Sequence, residues 1–225
     1  MQILSITSQK GGVGKTTLAM NLAIAAAHDK TPTVVFDLDP QASAAGYHDR
    51  RIANGHDDQP KVFSIQAARL PHELKAAMED GYKLAIIDTP PNVSGNAVHI
   101  SQAGDLILIP ARPTALDLDA IRVSIEIARA AERPAAVVLN VCKPLGTLKE
   151  EARELITSNF EFPVLESDIG DRVAFIHAAT EGLGVIENEP GSKAAIEIKA
   201  LWKWVKAALK DVKKSETQQK EVVNG

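Results

Sequence analysis

Apolar residues in this chain fall into short unbroken runs separated by longer stretches with helical spacing. The unbroken runs predict strands near 2–8, 33–38, 83–88, 105–110, 135–141 and 163–166. The longer stretches predict helices near 15–28, 69–80, 94–103, 116–131, 147–158, 172–180 and 193–213. Runs such as Val34-Val35-Phe36 and Leu84-Ala85-Ile86-Ile87 have no polar alternation, so these strands should be buried on both faces. Strand and helix alternate throughout, which defines an α/β fold with a mostly parallel sheet and helices on both faces. Tyr47 to Pro60 is polar with an Asn54-Gly55 turn signal, and reads as a loop or a short helix with loop. Ser215 to Gly225 is polar and short of core residues. The expected organisation is one domain over 1–214 and a flexible tail over 215–225.

Chemistry enters directly after the first strand, at Gln9-Lys10-Gly11-Gly12-Val13-Gly14-Lys15-Thr16-Thr17. Gly11, Gly12 and Gly14 let the backbone curl so that successive N–H groups point inward as an anion nest. That nest opens onto the N-terminus of the helix expected from residue 15, whose dipole favours phosphate. Lys15 would reach the β- and γ-phosphates, and the Thr16 hydroxyl would hold Mg²⁺. The ordinary phosphate loop begins with glycine where this chain has Gln9, and it lacks the second lysine, Lys10.

Two further strands end in carboxylates. Thr33 to Phe36 leads into Asp37-Leu38-Asp39-Pro40-Gln41, and Leu84 to Ile87 leads into Asp88-Thr89-Pro90-Pro91. Ligands of parallel sheets sit at the carboxyl ends of the strands. Asp88 is therefore a Walker-B-type residue, and Thr16, Asp37 and Asp88 form the candidate Mg²⁺ set. The plainer reading of Asp37 and Asp39, that they only cap the next helix, is disfavoured by the adjacent phosphate loop.

These three motifs together resemble the deviant-Walker ATPases, and within them the ParA partition proteins. The resemblance continues in Leu108-Ile109-Pro110, in Pro113-Thr114-Ala115-Leu116-Asp117, in Arg172-Val173-Ala174-Phe175, in Gly182 to Glu187 and in Lys193-Ala194-Ala195. It covers residues 1 to about 210 but not 42–60. It implies a P-loop NTPase fold, ATP and Mg²⁺ as cofactors, and catalysis by Lys10, Lys15 and Asp39. It places nucleotide contacts along Lys10 to Thr17 and at Asn140 on the adenine side. Lys10 would cross a dimer interface to the partner's nucleotide, and Asp39 would orient the attacking water. The chain looks like the small ParA type, with no helix-turn-helix expected before the phosphate loop.

At 225 residues and 45% hydrophobic, the chain can bury a substantial core. Its single cysteine, Cys142, excludes an internal disulfide and suits a reducing compartment. No apolar run reaches the roughly 18 residues of a membrane span, and strand one starts too early for a signal peptide. Cytoplasmic location is the expectation.

A net charge of −4 disfavours DNA binding only if charge is spread evenly. On a wheel at about 100° per residue, Lys199, Lys203, Lys206, Lys210, Lys213 and Lys214 share one arc of about 100°. An almost purely lysine ridge, without mixed-sign pairing, suits sequence-independent contact with DNA phosphates. Arg172 matches a family position associated with DNA contact, and a surface ion pair with Asp168 or Asp171 is its alternative. The combined expectation is an ATP-dependent homodimer bound non-specifically to the nucleoid, both ridges on one face, released when a ParB-like or other adaptor stimulates hydrolysis. The cargo would be a plasmid, a chromosome region or a protein cluster. A MinD-like membrane ATPase would need exposed large apolar residues near the C-terminus, which Lys213 to Gln219 lack. An iron–sulfur carrier would need more cysteines. A metabolic ligase or synthetase would need a second small-molecule pocket.

Overall fold

The protein is described by a computed structural model covering residues 1–91, 96–144 and 146–223. Among these residues, six strands form a single sheet in the order β3-β2-β4-β1-β5-β6. They are β1 (Gln2–Ile6), β2 (Thr33–Asp37), β3 (Lys61–Ser64), β4 (Leu84–Asp88), β5 (Leu106–Ala111) and β6 (Ala135–Leu139). Every pairing is parallel. The expected α/β fold with helices on both faces is therefore the one observed.

Strand alternation sorts the core into two faces. Leu4, Ile6, Val35, Ile86, Leu108 and Val138 point to one side, under α1 (Lys15–His28), α2 (Ser43–Ala53), α8 (Val185–Asn188) and α9 (Lys193–Val223). Ile107, Ile109, Val137 and Leu139 point to the other, under α5 (Ala115–Ala130) and α6 (Leu148–Asn159). Val34, Phe36, Ala85 and Ile87 share that second side with α3 (Leu70–Glu79) and α4 (Ala97–Gln102). Helix α1 is apolar nearly all round because it is sandwiched between the sheet and α8 and α9, and Leu18 to Ala26 are buried.

The middle of the chain departs from expectation. Of the two alternatives for 47–60, the short helix with loop is the one observed, but helix α2 starts earlier and spans Ser43–Ala53, and β3, an edge strand, was not expected. The strand expected at 163–166 reduces to an isolated parallel bridge, Val137 to Val164. Helix α7 (Val173–Glu181) matches its expected position, whereas α8 was not anticipated. Helix α9 continues to Val223, ten residues past the end expected from its apolar face. The expected flexible tail thus begins inside a helix, and its last two residues lie outside the described residues. The first two residues of the helix expected at 94–103 lie outside them as well.

Candidate nucleotide-binding site

β1 lies between β4 and β5, where the chain stops adding strands on one side and begins on the other. Crevices at such a reversal hold ligands at the carboxyl ends of the strands. The loop from Thr7 to Gly14 leaves β1 there and opens directly into α1. Gly12 and Gly14 have φ of 74° and 87°, a left-handed backbone that favours glycine. Gly14 is also confined in space, because a Cβ there would lie 2.4 Å from Asn140 Nδ2. Asn140 is buried and donates through Nδ2 to the Val13 carbonyl at 2.7 Å. Its amide therefore braces the phosphate loop, a use the adenine-side assignment did not anticipate.

Lys15 is buried and curls over its own loop, with Nζ donating to the Ser8 carbonyl at 3.3 Å and the Lys10 carbonyl at 3.2 Å. Burial lowers its pKa, opposed by the charges of Asp88 and Asp39. The next side chain along, Thr16, donates its hydroxyl to Asp88 Oδ2 at 2.6 Å. Burial pushes the Asp88 carboxyl up to about 7 against that hydrogen bond, and neighbouring Asp37 raises it further.

Asp88 Oδ1 is buried without a hydrogen-bond partner. An orphaned carboxylate oxygen beside a threonine hydroxyl is a hard-oxygen pair of the kind Mg²⁺ prefers. These two residues fit the ion. Asp37 fits it less directly. Its Oδ1 accepts from Asp39 N at 3.0 Å, and its Oδ2 accepts from Ala44 N at 2.8 Å and Ala45 N at 3.3 Å. Asp37 thus caps α2, the role the sequence reading set aside. Its pKa is nonetheless raised by burial. Asp39 is half-buried, with Oδ1 accepting from Gln41 N at 2.9 Å. Among the described residues no cluster of three or more His, Cys, Asp or Glu side chains is placed to hold a metal ion.

Lys10 turns away from this cradle. Its Nζ lies 2.6 Å from Asp117 Oδ1 on the first turn of α5. Arg112 Nε approaches the other oxygen, Oδ2, at 3.2 Å. Asp117 was quoted from the sequence as part of a motif but given no role. Its signal was the Thr114-x-x-Asp117 spacing of a helix start, and Thr114 does cap α5.

The residues expected to touch DNA stand elsewhere. Lys199, Lys203, Lys206, Lys210, Lys213 and Lys214 are all exposed on α9. Lys206 pairs with Asp29 and lies over the Trp202 ring at 5.6 Å. Lys203, Lys206, Lys210 and Lys213 line a groove of about 730 Å³ with Met1, Gln2, Lys83 and Leu84 at the starts of β1 and β4. The groove and the phosphate loop therefore occupy opposite ends of the sheet. Arg172 sits at the loop end, but it pairs with Glu197 rather than with Asp168 or Asp171.

A glycine-lined helix start at the switch point of a parallel sheet, with a buried lysine and a Thr–Asp pair, defines a phosphate-loop nucleotide-binding protein. Residues 4–185 match the family described as the CobQ/CobB/MinD/ParA nucleotide binding domain, and the chain belongs to that family. It is 34% identical over 194 residues to the maintenance of carboxysome distribution protein A of Gloeobacter kilaueensis, covering 83% of this chain and 84% of the relative. It is 24% identical over 243 residues to the chromosome-partitioning ATPase Soj of Thermus thermophilus, covering 92% and 96%. The fold matches the septum site-determining protein MinD of Pyrococcus horikoshii, solved with Mg-ADP, at a TM-score of 0.71 and 20% identity, over 91% of this chain and 95% of that one.

Proposed function

We propose that this chain is a ParA-like ATPase whose ATP-bound dimer binds DNA without sequence preference and is released when a partner stimulates hydrolysis. The observation that carries this reading is the direction of Lys10. It belongs to the phosphate loop, yet its ammonium leaves its own cradle for Asp117 at the margin of the site. A phosphate-loop lysine not spent on its own cradle is available, once that pair parts, for charge arriving from outside the subunit. Two triphosphates brought face to face repel one another, and a lysine from each protomer offsets that repulsion and the charge that develops during phosphoryl transfer.

ATP supplies the phosphoryl group, and a Mg²⁺ held by Thr16 and Asp88, with Asp37 behind them, would neutralise its oxygens. Lys15 swings from the Ser8 and Lys10 carbonyls onto the phosphates. Asp39, on the loop between β2 and α2, orients the attacking water. The names of the relatives, one concerned with carboxysome distribution and one with chromosome partition, support cargo positioning along the nucleoid. A protein cluster, a plasmid or a chromosome region are all cargoes of this kind, and an adaptor on the cargo would trigger release.

The DNA surface assigned to this cycle is the α9 stripe. Exposed pairs such as Lys206–Asp29 contribute less than about 1 kcal/mol, so phosphate competes for that lysine easily. Arg172 is more committed, because Glu197 binds its guanidinium through both oxygens. In a dimer closed over the phosphate loops the stripes run toward the two outer ends, not side by side at the nucleotide. DNA would then follow the flank of the dimer.

Among the described residues no helix is long and apolar enough to cross a membrane. The deciding experiment is DNA retention with ATP, ADP and a non-hydrolysable analogue at two salt concentrations. If six to ten phosphates are contacted, affinity falls by about 10³–10⁵ between 50 and 200 mM salt. Equal retention with ADP and with the analogue would defeat the nucleotide switch.

A further inference from the structure

Asp117 meets two cations and a hydroxyl beside the phosphate loop, and the proposed cycle gives it no part. Its side chain is only 3% exposed, against 30% for the Lys10 that meets it. Lys10 contacts one oxygen; Arg112 and the Thr114 hydroxyl contact the other. The loop is tied to the same helix a second time, because Gln9 N donates to Ser124 Oγ at 3.1 Å. Positions 117 and 124 lie seven apart on α5, two turns along one face. The two residues by which this loop departs from the ordinary phosphate loop, Gln9 and Lys10, are thus the two fastened to α5.

We propose that Asp117 is a positioning residue that parks Lys10 inside its own subunit and sets the nucleotide concentration at which the dimer closes. This rests on the reading of Lys10 as a cross-interface cation. A lysine paired with Asp117 cannot reach a neighbour's phosphates at the same time, so closing the dimer requires the pair to part. Stripping a nearly buried carboxylate of every partner would be prohibitive. Here the separation is tolerable, because the Thr114 hydroxyl still donates to Oδ2 and the Arg112 charge stays 3.2 Å from it after Lys10 leaves. The carboxylate also sits on the first turn of α5, where the helix dipole favours its charge. Asp117 holds two cations of which one is expendable, so the two should be antagonists: weakening Arg112 tightens the hold on Lys10.

The test uses the full chain with a non-hydrolysable ATP analogue and follows dimerisation by light scattering. Asp117→Asn should lower the analogue concentration for half-maximal dimerisation at least threefold. Arg112→Gln should raise it at least threefold. Amine-reactive labelling of the nucleotide-free protein, read by mass spectrometry against Lys30 as internal reference, should show Lys10 several-fold more reactive in Asp117→Asn. Half-points that move in the same direction for both variants overturn the proposal. Unchanged labelling of Lys10 overturns it at the ion pair itself. Raised labelling with an unmoved half-point also overturns the threshold, and locates the failure in the cross-interface reading of Lys10.

Discussion

The Thr16 hydroxyl and Asp88 Oδ2 meet at 2.6 Å across 72 residues of chain, joining the first turn of α1 to the end of β4. The pair leaves Asp88 Oδ1 facing inward with no hydrogen bond. Thr16→Ala removes one candidate Mg²⁺ ligand and a hydrogen-bond donor to that carboxylate together. Magnesium-dependent phosphate release should fall at least ~100-fold, by analogy with single-contact losses in preorganised sites. Turnover within twofold of wild type would take the hydroxyl out of the metal's shell.

Asp39 makes one local backbone contact, to Gln41 N, and lies beside Lys15 closely enough to influence its charge. Asp39→Ala should spare ATP binding and dimerisation while reducing hydrolysis ~100-fold or more, since phosphoryl transfer depends on a positioned nucleophile. The variant should therefore stay on DNA after ATP is diluted. Rapid release, followed by fluorescence of labelled DNA, would contradict the water-orienting role.

The lysine stripe makes a quantitative claim about salt. Changing Lys203, Lys206 and Lys210 to Glu should abolish DNA retention with the ATP analogue at 100 mM salt. Single changes to Gln should each lower the slope of log affinity against log salt by about 0.9. Filter binding over a salt series separates the two outcomes, and an unchanged slope in all three would make the stripe an ordinary solvated face.

A second ion pair bears on stability. Arg51, its side chain 4% exposed, is held by both oxygens of Glu187 at 2.8 and 2.9 Å, and so pins α2 to α8. Burial works to raise the Glu187 pKa, but Arg51, the Gly184 N–H and His28 outweigh it, and the folded value lies below the usual 4.5. A depressed carboxylate contributes stability that is present above the unfolded value and lost as pH falls through the folded one. Glu187→Ala should cost about 3–5 kcal/mol at pH 7 by leaving Arg51 uncompensated. Thermal melts should show that gap narrowing below about pH 4.5, and a gap independent of pH would assign the effect to packing alone.

Much of the architecture was legible because buried parallel strands announce themselves as unbroken apolar runs. Five of the six strands and the order of loop, carboxylates and helices follow from that pattern and from glycine chemistry. Helix α2 was legible only as one of two alternatives and without its bounds, because it buries only Ala44, Tyr47 and Arg51 and anchors itself by charge and hydrogen bonding. The Tyr47 hydroxyl donates to the Leu183 carbonyl, and Arg50 Nε donates to the Ala179 carbonyl at 2.9 Å. No apolar period records such contacts. β3 has four residues, of which Phe63 is 48% exposed, so as an edge strand it carries little hydrophobic signal. The capping role of Asp37 was legible but set aside, whereas the partners of Asn140 and Lys10 were invisible, since each lies on a distant segment.

Gly182 ends α7 with φ of 72°, and a Cβ there would fall 2.2 Å from Arg51 N. The main chains of α2 and α7 thus touch with nothing between them. A saturation library at this position should return almost no viable clones, because even alanine must pry two helices apart. Gly55, equally left-handed but with open space around it and away from the phosphate loop, should admit asparagine in the same screen.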